Sequence, residues 1–356
     1  MSSEYGRNIK VSIFGESHGK AIGAVVDNLP SGEYIDMDEL KRFMMRRQGG
    51  NSALTTPRKE DDVPTFLSGV LNGYTTGAPL CLIINNNNVR SQDYQNDLPR
   101  PGHADFTASV KYNGFNDLSG GGHFSGRLTA PLCAVGGILS QILERKGIQA
   151  ASHIFSVKNE QDIPFDTLDP SKWCREKLRY SQFPVISEKA EEKMKNVIID
   201  AKNNLDSVGG IVECALTGVQ AGIGDPLFEG IENKITSAVF AVGAVKGIEF
   251  GVGFAAASLY GSENNDPFTI KDGKIVTVTN NHGGILGGIS SGMPIIFRVA
   301  LKPTPSIGKE QQTVSLSNMQ NTPLTVKGRH DPCIVSRAVV CIESAAVIAL
   351  ADLILK

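Results

Sequence analysis

Short apolar runs at 11–14 and 24–29 predict two strands near the start of the chain. A helix follows, with Leu40, Phe43 and Met44 on one face. Asp36 and Glu39 form a capping-box pattern at its start, and Gly49-Gly50 ends it. Strands at 63–71 and 79–84 flank the turn Asn72-Gly73. Leu132, Val135, Leu139, Ile142 and Leu143 mark the buried face of a longer helix that closes at Arg145-Lys146-Gly147. A further helix over 187–204 turns Met194, Val197, Ile198 and Ala201 inward, and another covers 226–242. Strands are predicted at 211–217, 248–254, 274–278 and 294–301, and a last helix over 332–355. Residues 150–190 carry no clear constellation and read as a peripheral insertion, with His153 and Trp173 packing inside it.

This rhythm of strands, glycine loops and long helices predicts an α+β fold of largely antiparallel strands. No linker is evident, so the chain is expected to form a single domain over 1–356. Residues 51–60 read as a polar loop, the asparagine run 85–88 as another, and 90–100 as a long irregular one.

Composition narrows the function. The chain is 41% hydrophobic and 20% charged with a net charge of −2, which gives no broad electrostatic case for nucleic acid or an anionic membrane. Any anion site must therefore be local. The six cysteines are scattered without a CxxC pair or zinc pattern, and most read as small core residues. Residues 1–10 lack the apolar core of a signal peptide. The last helix contains Arg337, Glu343 and Asp352, which makes it a poor membrane span. A reduced, cytoplasmic setting is expected.

Candidate chemistry sits on glycine-framed turns. Gly15-Glu16-Ser17-His18-Gly19 exposes an imidazole between two glycines. Arg46 and Arg47 close the first helix, where their charge suits the helix C-terminus or a bound anion. Arg100-Pro101-Gly102-His103-Ala104-Asp105 offers a histidine suited to general acid work, or a turn whose polar side chains bond to backbone. Ser119-Gly120-Gly121-Gly122-His123-Phe124-Ser125-Gly126-Arg127 precedes a helix, as phosphate cradles do, but matches neither the P-loop nor the dinucleotide fingerprint. A second glycine-rich stretch spans 280–289, and Lys302-Pro303-Thr304-Pro305-Ser306 is a rigid turn able to hold a phosphate. In Lys327-Gly328-Arg329-His330-Asp331-Pro332-Cys333, Asp331 suits the N-cap and Pro332 the first turn of the last helix. Arg329 beside that helix start would favour an anionic ligand.

From about Ile9 to the C-terminus the chain resembles the chorismate synthase family. The resemblance rests on the His18 turn, on Thr55-Thr56-Pro57-Arg58-Lys59-Glu60, on the Arg100 to Asp105 turn, on 283–292 and on Arg329-His330-Asp331-Pro332-Cys333. It implies a β-α-β sandwich of antiparallel sheets packed with long helices, assembled as a homotetramer. It also implies conversion of 5-enolpyruvylshikimate 3-phosphate, a small anionic substrate, to chorismate by 1,4-elimination of phosphate. Reduced FMN is the implied cofactor, without net redox change, and NADP is expected alongside it; with no added flavin reductase segment evident, an external reductant is expected. His103 would protonate the departing phosphate, His18 the reduced flavin, and Asp331 would assist flavin N5 in taking the ring proton. Arg47, Arg100, Arg127 and Arg329 would hold the substrate. His123, Phe124, Ser125, Gly243, Ala244, Gly287, Lys302, Pro303, Thr304, Pro305, Ser306 and Arg329 would contact the flavin.

Two positions depart from the family pattern. The loop His123-Phe124-Ser125-Gly126-Arg127-Leu128-Thr129 replaces the usual Arg-Ser-Ser-Ala-Arg-Glu-Thr, and Ala53 stands where a second basic residue is usual. A flavin-binding homologue with impaired catalysis is the alternative these changes raise. A phosphatase is the other rival, although no metal cluster or phosphorylated nucleophile motif accompanies the arginines.

Overall fold

The computed structural model describes residues 3–49, 61–87, 97–326 and 331–355. Its frame is two five-stranded sheets facing one another across a layer of helices. The first sheet holds β1 (Glu4–Tyr5), β2 (Lys10–Gly15), β3 (Ala21–Asp27), β4 (Thr65–Ser68) and β5 (Leu80–Asn85), in the order β1-β2-β3-β5-β4. The second holds β6 (Gln149–Val157), β7 (Glu160–Gln161), β8 (Gly210–Thr217), β9 (Val245–Phe250) and β10 (Ile295–Leu301), in the order β9-β10-β8-β6-β7. Every strand pairing among the described residues is antiparallel.

Helices fill the space between the sheets. They are α1 (Met37–Met45), α3 (Thr129–Arg145), α5 (Ile231–Phe240) and α6 (Val335–Ile354); α2 (Asp105–Lys111) and α4 (Glu188–Asn203) lie outside this layer. The side chain of Asp36 accepts from the Glu39 amide, as the capping pattern predicted, and Leu40, Phe43 and Met44 are buried. The stretch Gly126–Arg145 is long and apolar enough to cross a bilayer, but its 18 most apolar consecutive residues are 83% buried inside the fold, as befits a core helix. α6 is buried along nearly its whole length, and Gly136 of α3 lies so close to Ser344 of α6 that a β-carbon there would meet it at 2.3 Å. Close helix contact thus depends on that glycine.

Two expectations are corrected. Residues 149–157 are no insertion but a strand one place in from the edge of the second sheet, paired with β8. Only the segment after it, up to about residue 187, lies peripherally, covering the outer face of that sheet with Phe165, Trp173 and Leu178. The strand escaped notice because both its faces carry buried polar groups. Ser152 points inward to Glu343, while His153 points outward and bonds Asp162 and Glu213. The second correction concerns Asp331. The last helix begins at Val335 with Ile334 at its N-cap, and Asp331 instead accepts from Arg337 Nη1 at 2.6 Å. The side chain of Asp331 is thus turned onto the first turn of the helix that follows it, to a guanidinium and not to a backbone amide.

Candidate active site

Three groups of side chains meet where the turn after β2, the glycine loop before α3 and the segment after β10 come together. In the first, the turn carrying His18 lies under the loop 119–125. Ser17 donates its amide to the Gly122 carbonyl at 3.1 Å. Gly120, Gly121 and Gly122 all adopt positive φ. A β-carbon on Gly120 would stand 2.0 Å from the His18 ring, so only glycine allows this approach. Arg100 lies beside Gly121 and is gripped by Asp105, which accepts from Nε and Nη2 at 2.8 Å each. Burial raises the Asp105 carboxyl, but the bonds from Arg100 outweigh it and hold the group below its usual range.

The second group joins the turn 100–105 to the segment leaving β10. His103 Nε2 is 2.7 Å from the Ser306 hydroxyl, and Lys302 donates Nζ to the Gly102 carbonyl at 2.5 Å. Pro305 packs on Gly102, whose φ is +75°. Lys302 also donates its amide to the Ala244 carbonyl at 2.9 Å, which brings Gly243 and Ala244 alongside. Burial, then repulsion by Lys246, depresses the Lys302 ammonium. Ser207 donates to the Thr304 carbonyl at 2.6 Å, and the Val208 amide to that of Pro332 at 2.9 Å, so the residues after Asp331 are tied to the same corner.

The third group is a buried arginine cluster. Arg47 and Arg127 each place a guanidinium nitrogen on Asp62, one on either carboxylate oxygen. Arg47 also donates to Thr129 Oγ1 at 2.8 Å and to the Gly126 carbonyl at 3.2 Å. Arg127 donates Nε to Asn86 Oδ1 at 3.2 Å, and Asn86 turns its own amide to the carbonyls of Glu16 and Gly19. Arg337 donates to the Arg47 carbonyl at 2.9 Å and, from its other end, to Asp331. Asp62 would be raised by burial, but Arg47 and Arg127 pull it below the ordinary carboxylate range.

These groups supply several cations for a polyanionic ligand, an imidazole bonded to a hydroxyl, and a carboxylate held by an arginine. A model of the chorismate synthase family matches residues 9–355. A curated relative from Lancefieldella parvula, named chorismate synthase, is 48% identical over 365 residues, covering 99% of this chain and 96% of the relative. The chain belongs to the chorismate synthase family. A relative from Korarchaeum cryptofilum bearing the same name is 45% identical, covering 99% of this chain and 97% of its own. A crystal structure of chorismate synthase aligns with a TM-score of 0.78 at 29% identity, over 98% of this chain and 92% of the other. Membership makes the protein a lyase of aromatic amino acid biosynthesis.

Within this chorismate synthase fold, His18, Arg47, Arg100, His103, Arg127, Asp331, the loop 123–125, Gly243-Ala244 and 302–306 all border one region. Gly287 does not. Its hairpin, Ile285–Leu286 with Ile289–Ser290, docks on Asp225 and Gly230 before β10 begins, whereas Lys302 follows the end of that strand. His123 turns from the glycine loop to the Gly15 carbonyl and the Ser3 hydroxyl, at 2.8 Å each, and so braces the loop on β2. Phe124 is half exposed beside Tyr112, and the Ser125 hydroxyl caps the short turn at Arg127. Arg329, Ala53 and 55–60 lie outside the described residues.

Sequence reasoning passed over Asp62, Asn86 and Arg337. Asp62 sits in a run of acids, Asn86 in a run of asparagines, and Arg337 in a long apolar helix. No local spacing marks them. Apart from the bond of Arg337 to Asp331, six residues away, their partners are 15 to 290 residues distant.

Proposed function

We propose that the protein makes chorismate from 5-enolpyruvylshikimate 3-phosphate, breaking the ring C–O bond to phosphate and one ring C–H bond, with reduced FMN required and no net redox change. The observation that carries this reading is the meeting of His103–Ser306, Arg100–Asp105 and the glycine loop on His18 in one corner of a chorismate synthase fold. The substrate's phosphate and two carboxylates call for several fixed cations, and Arg47, Arg100, Arg127 and Arg329 are assigned to them. His103, half-buried and bonded to Ser306, holds the proton that the departing phosphate takes. Asp331, oriented by Arg337, and His18, pressed under Gly120, are the remaining groups assigned to proton handling.

The residues around 302–306 suit a phosphate-bearing cofactor. Lys302 brings a cation, Gly243 has open space where a side chain would begin, and Thr304 Oγ1 is buried with no partner among the described residues. His123 to Ser125, Gly243-Ala244, Lys302 to Ser306 and Arg329 would hold FMN. Reduced FMN, when bound, supplies the electron-rich ring that the C–H cleavage requires.

The chain is assigned to one domain over 1–356, a homotetramer, the cytoplasm and an external source of reduced flavin, with NADP alongside it. The tetramer has support in the hairpin Phe268–Lys271 with Lys274–Thr277, which leaves Phe268, Ile270 and Ile275 exposed. An isolated two-stranded hairpin with such residues exposed is marginal until something covers it. No observation favours an impaired homologue. His18, His103 and Asp331 are present, and His123 has its own bonds. The test is an anaerobic incubation with reduced FMN and substrate, following both products. Chorismate and phosphate in equal amounts are expected. Phosphate alone would mark a phosphatase, and flavin binding without product an inactive homologue.

A further inference from the structure

Asp62 stands between the two arginines assigned to the substrate, yet nothing in the proposed chemistry uses it. Its side chain is fully buried, with 0% exposed, and each oxygen takes a guanidinium nitrogen, from Arg47 on one side and Arg127 on the other. Its backbone adopts a left-handed φ of +47°, a conformation that aspartate tolerates better than most residues. Arg47 and Arg127 come from different elements, the end of α1 and the turn before α3, so no single element sets their separation. One carboxylate shared by two forks does.

Charge points the same way. Arg47 and Arg127 both bear on Asp62, and Arg337 on Asp331, so each of these buried or half-buried guanidiniums has a carboxylate against it. Guanidiniums buried without a counter-ion are costly. With Asp62 in place the pair is folded and spaced before an anion arrives.

We infer that Asp62 is a positioning residue for substrate binding, acting through Arg47 and Arg127 by fixing their spacing and neutralising part of their charge. This rests on the assignment of those arginines to the substrate. A group that orders ground-state and transition-state contacts alike changes KM and leaves kcat nearly unchanged.

The test is Asp62→Asn, which keeps the shape and removes the charge. KM for the substrate is expected to rise about 10-fold or more, with kcat within about 3-fold of the parent. Inorganic phosphate is expected to raise the melting temperature of the variant more than that of the parent, because the anion takes over the missing charge. If the variant is unfolded in plain buffer, phosphate is expected to restore it. An unchanged KM in folded protein would overturn the inference. So would equal phosphate stabilisation of variant and parent, or a chain that stays unfolded with phosphate, since each marks a purely structural acid. Arg127→Lys separates the two readings. If it too leaves KM unchanged, the assignment of the arginines is at fault; if it raises KM while Asp62→Asn does not, only the role of Asp62 fails.

Discussion

His103 Nε2 and the Ser306 hydroxyl stand 2.7 Å apart although 203 residues separate them in the chain. The bond ties a turn built on Pro101 and Gly102 to the rigid segment after β10, and so fixes the ring plane of the histidine. His103→Ala is expected to lower turnover about 100-fold or more, the usual worth of a general acid, with the melting temperature nearly unchanged. Ser306→Ala removes the orienting bond along with a hydroxyl assigned to the flavin, so with FMN saturating about a 3- to 10-fold loss in kcat is expected. Anaerobic chorismate formation measures both. Equal kcat in Ser306→Ala and the parent would mean that the hydroxyl does not orient the ring.

Gly120 is the second lever on the site. Its φ is +63°, and an added β-carbon would stand 2.0 Å from the His18 ring. Gly120→Ala must therefore displace either the loop or the imidazole, in addition to the strain of a left-handed alanine. Turnover is expected to fall at least about 10-fold, while circular dichroism retains the parent spectrum. Wild-type turnover in this variant would show that the contact has no bearing on catalysis.

Legibility in the sequence followed the range of the interactions. The capped helix at Asp36, the long helix ending at Arg145 and the strands 211–217 and 294–301 obey local period and capping rules, and they formed within a few residues of expectation. His18, His103 and the glycine loop stood out because a titratable or flexible residue framed by glycine has a local signature. Asp62 and Asn86 had none, since their importance lies in partners brought close only by the fold. Asp331 is the instructive error. Its neighbour Pro332 fits a helix start, yet the helix begins at Val335, so no first-turn amide is offered to Asp331 and its carboxylate takes Arg337 as partner.

Arg46 and Arg47 are adjacent but divide their work. Arg46 points into the core, where Nη1 and Nη2 meet Glu343 at 2.8 and 2.7 Å, both side chains being buried. Glu343→Gln leaves that guanidinium without its counter-ion and is expected to destabilise the fold by about 3–5 kcal/mol. The double change Arg46→Met with Glu343→Leu removes both charges and is expected to cost less than Glu343→Gln alone. Urea unfolding of both variants decides this. A double variant less stable than the single one would mean that the pair is worth more than its desolvation cost.

His153 links folding stability to pH. Its ring lies between Asp162, at 3.1 Å, and Glu213, at 3.0 Å, and has no exposed surface. Burial alone would depress the imidazolium, but bonds to the two carboxylates more than reverse this and raise it. Both carboxylates are themselves lowered: burial raises each, and the bond to His153 leads the opposing effects. The imidazolium therefore stabilises the fold fully below its unfolded value of about 6.5, and the gain is lost as pH rises through its higher folded value. The carboxylates stabilise above their unfolded values of about 4, and that gain is lost as pH falls through their lower folded ones. Subtracting the melting temperature of His153→Gln from that of the parent isolates the cluster from other titrating groups. The difference is expected to be largest between about pH 5 and 6.5 and to shrink on either side. A difference that is flat, or that grows as pH rises past 7, would mean that the buried ring is neutral in the folded protein.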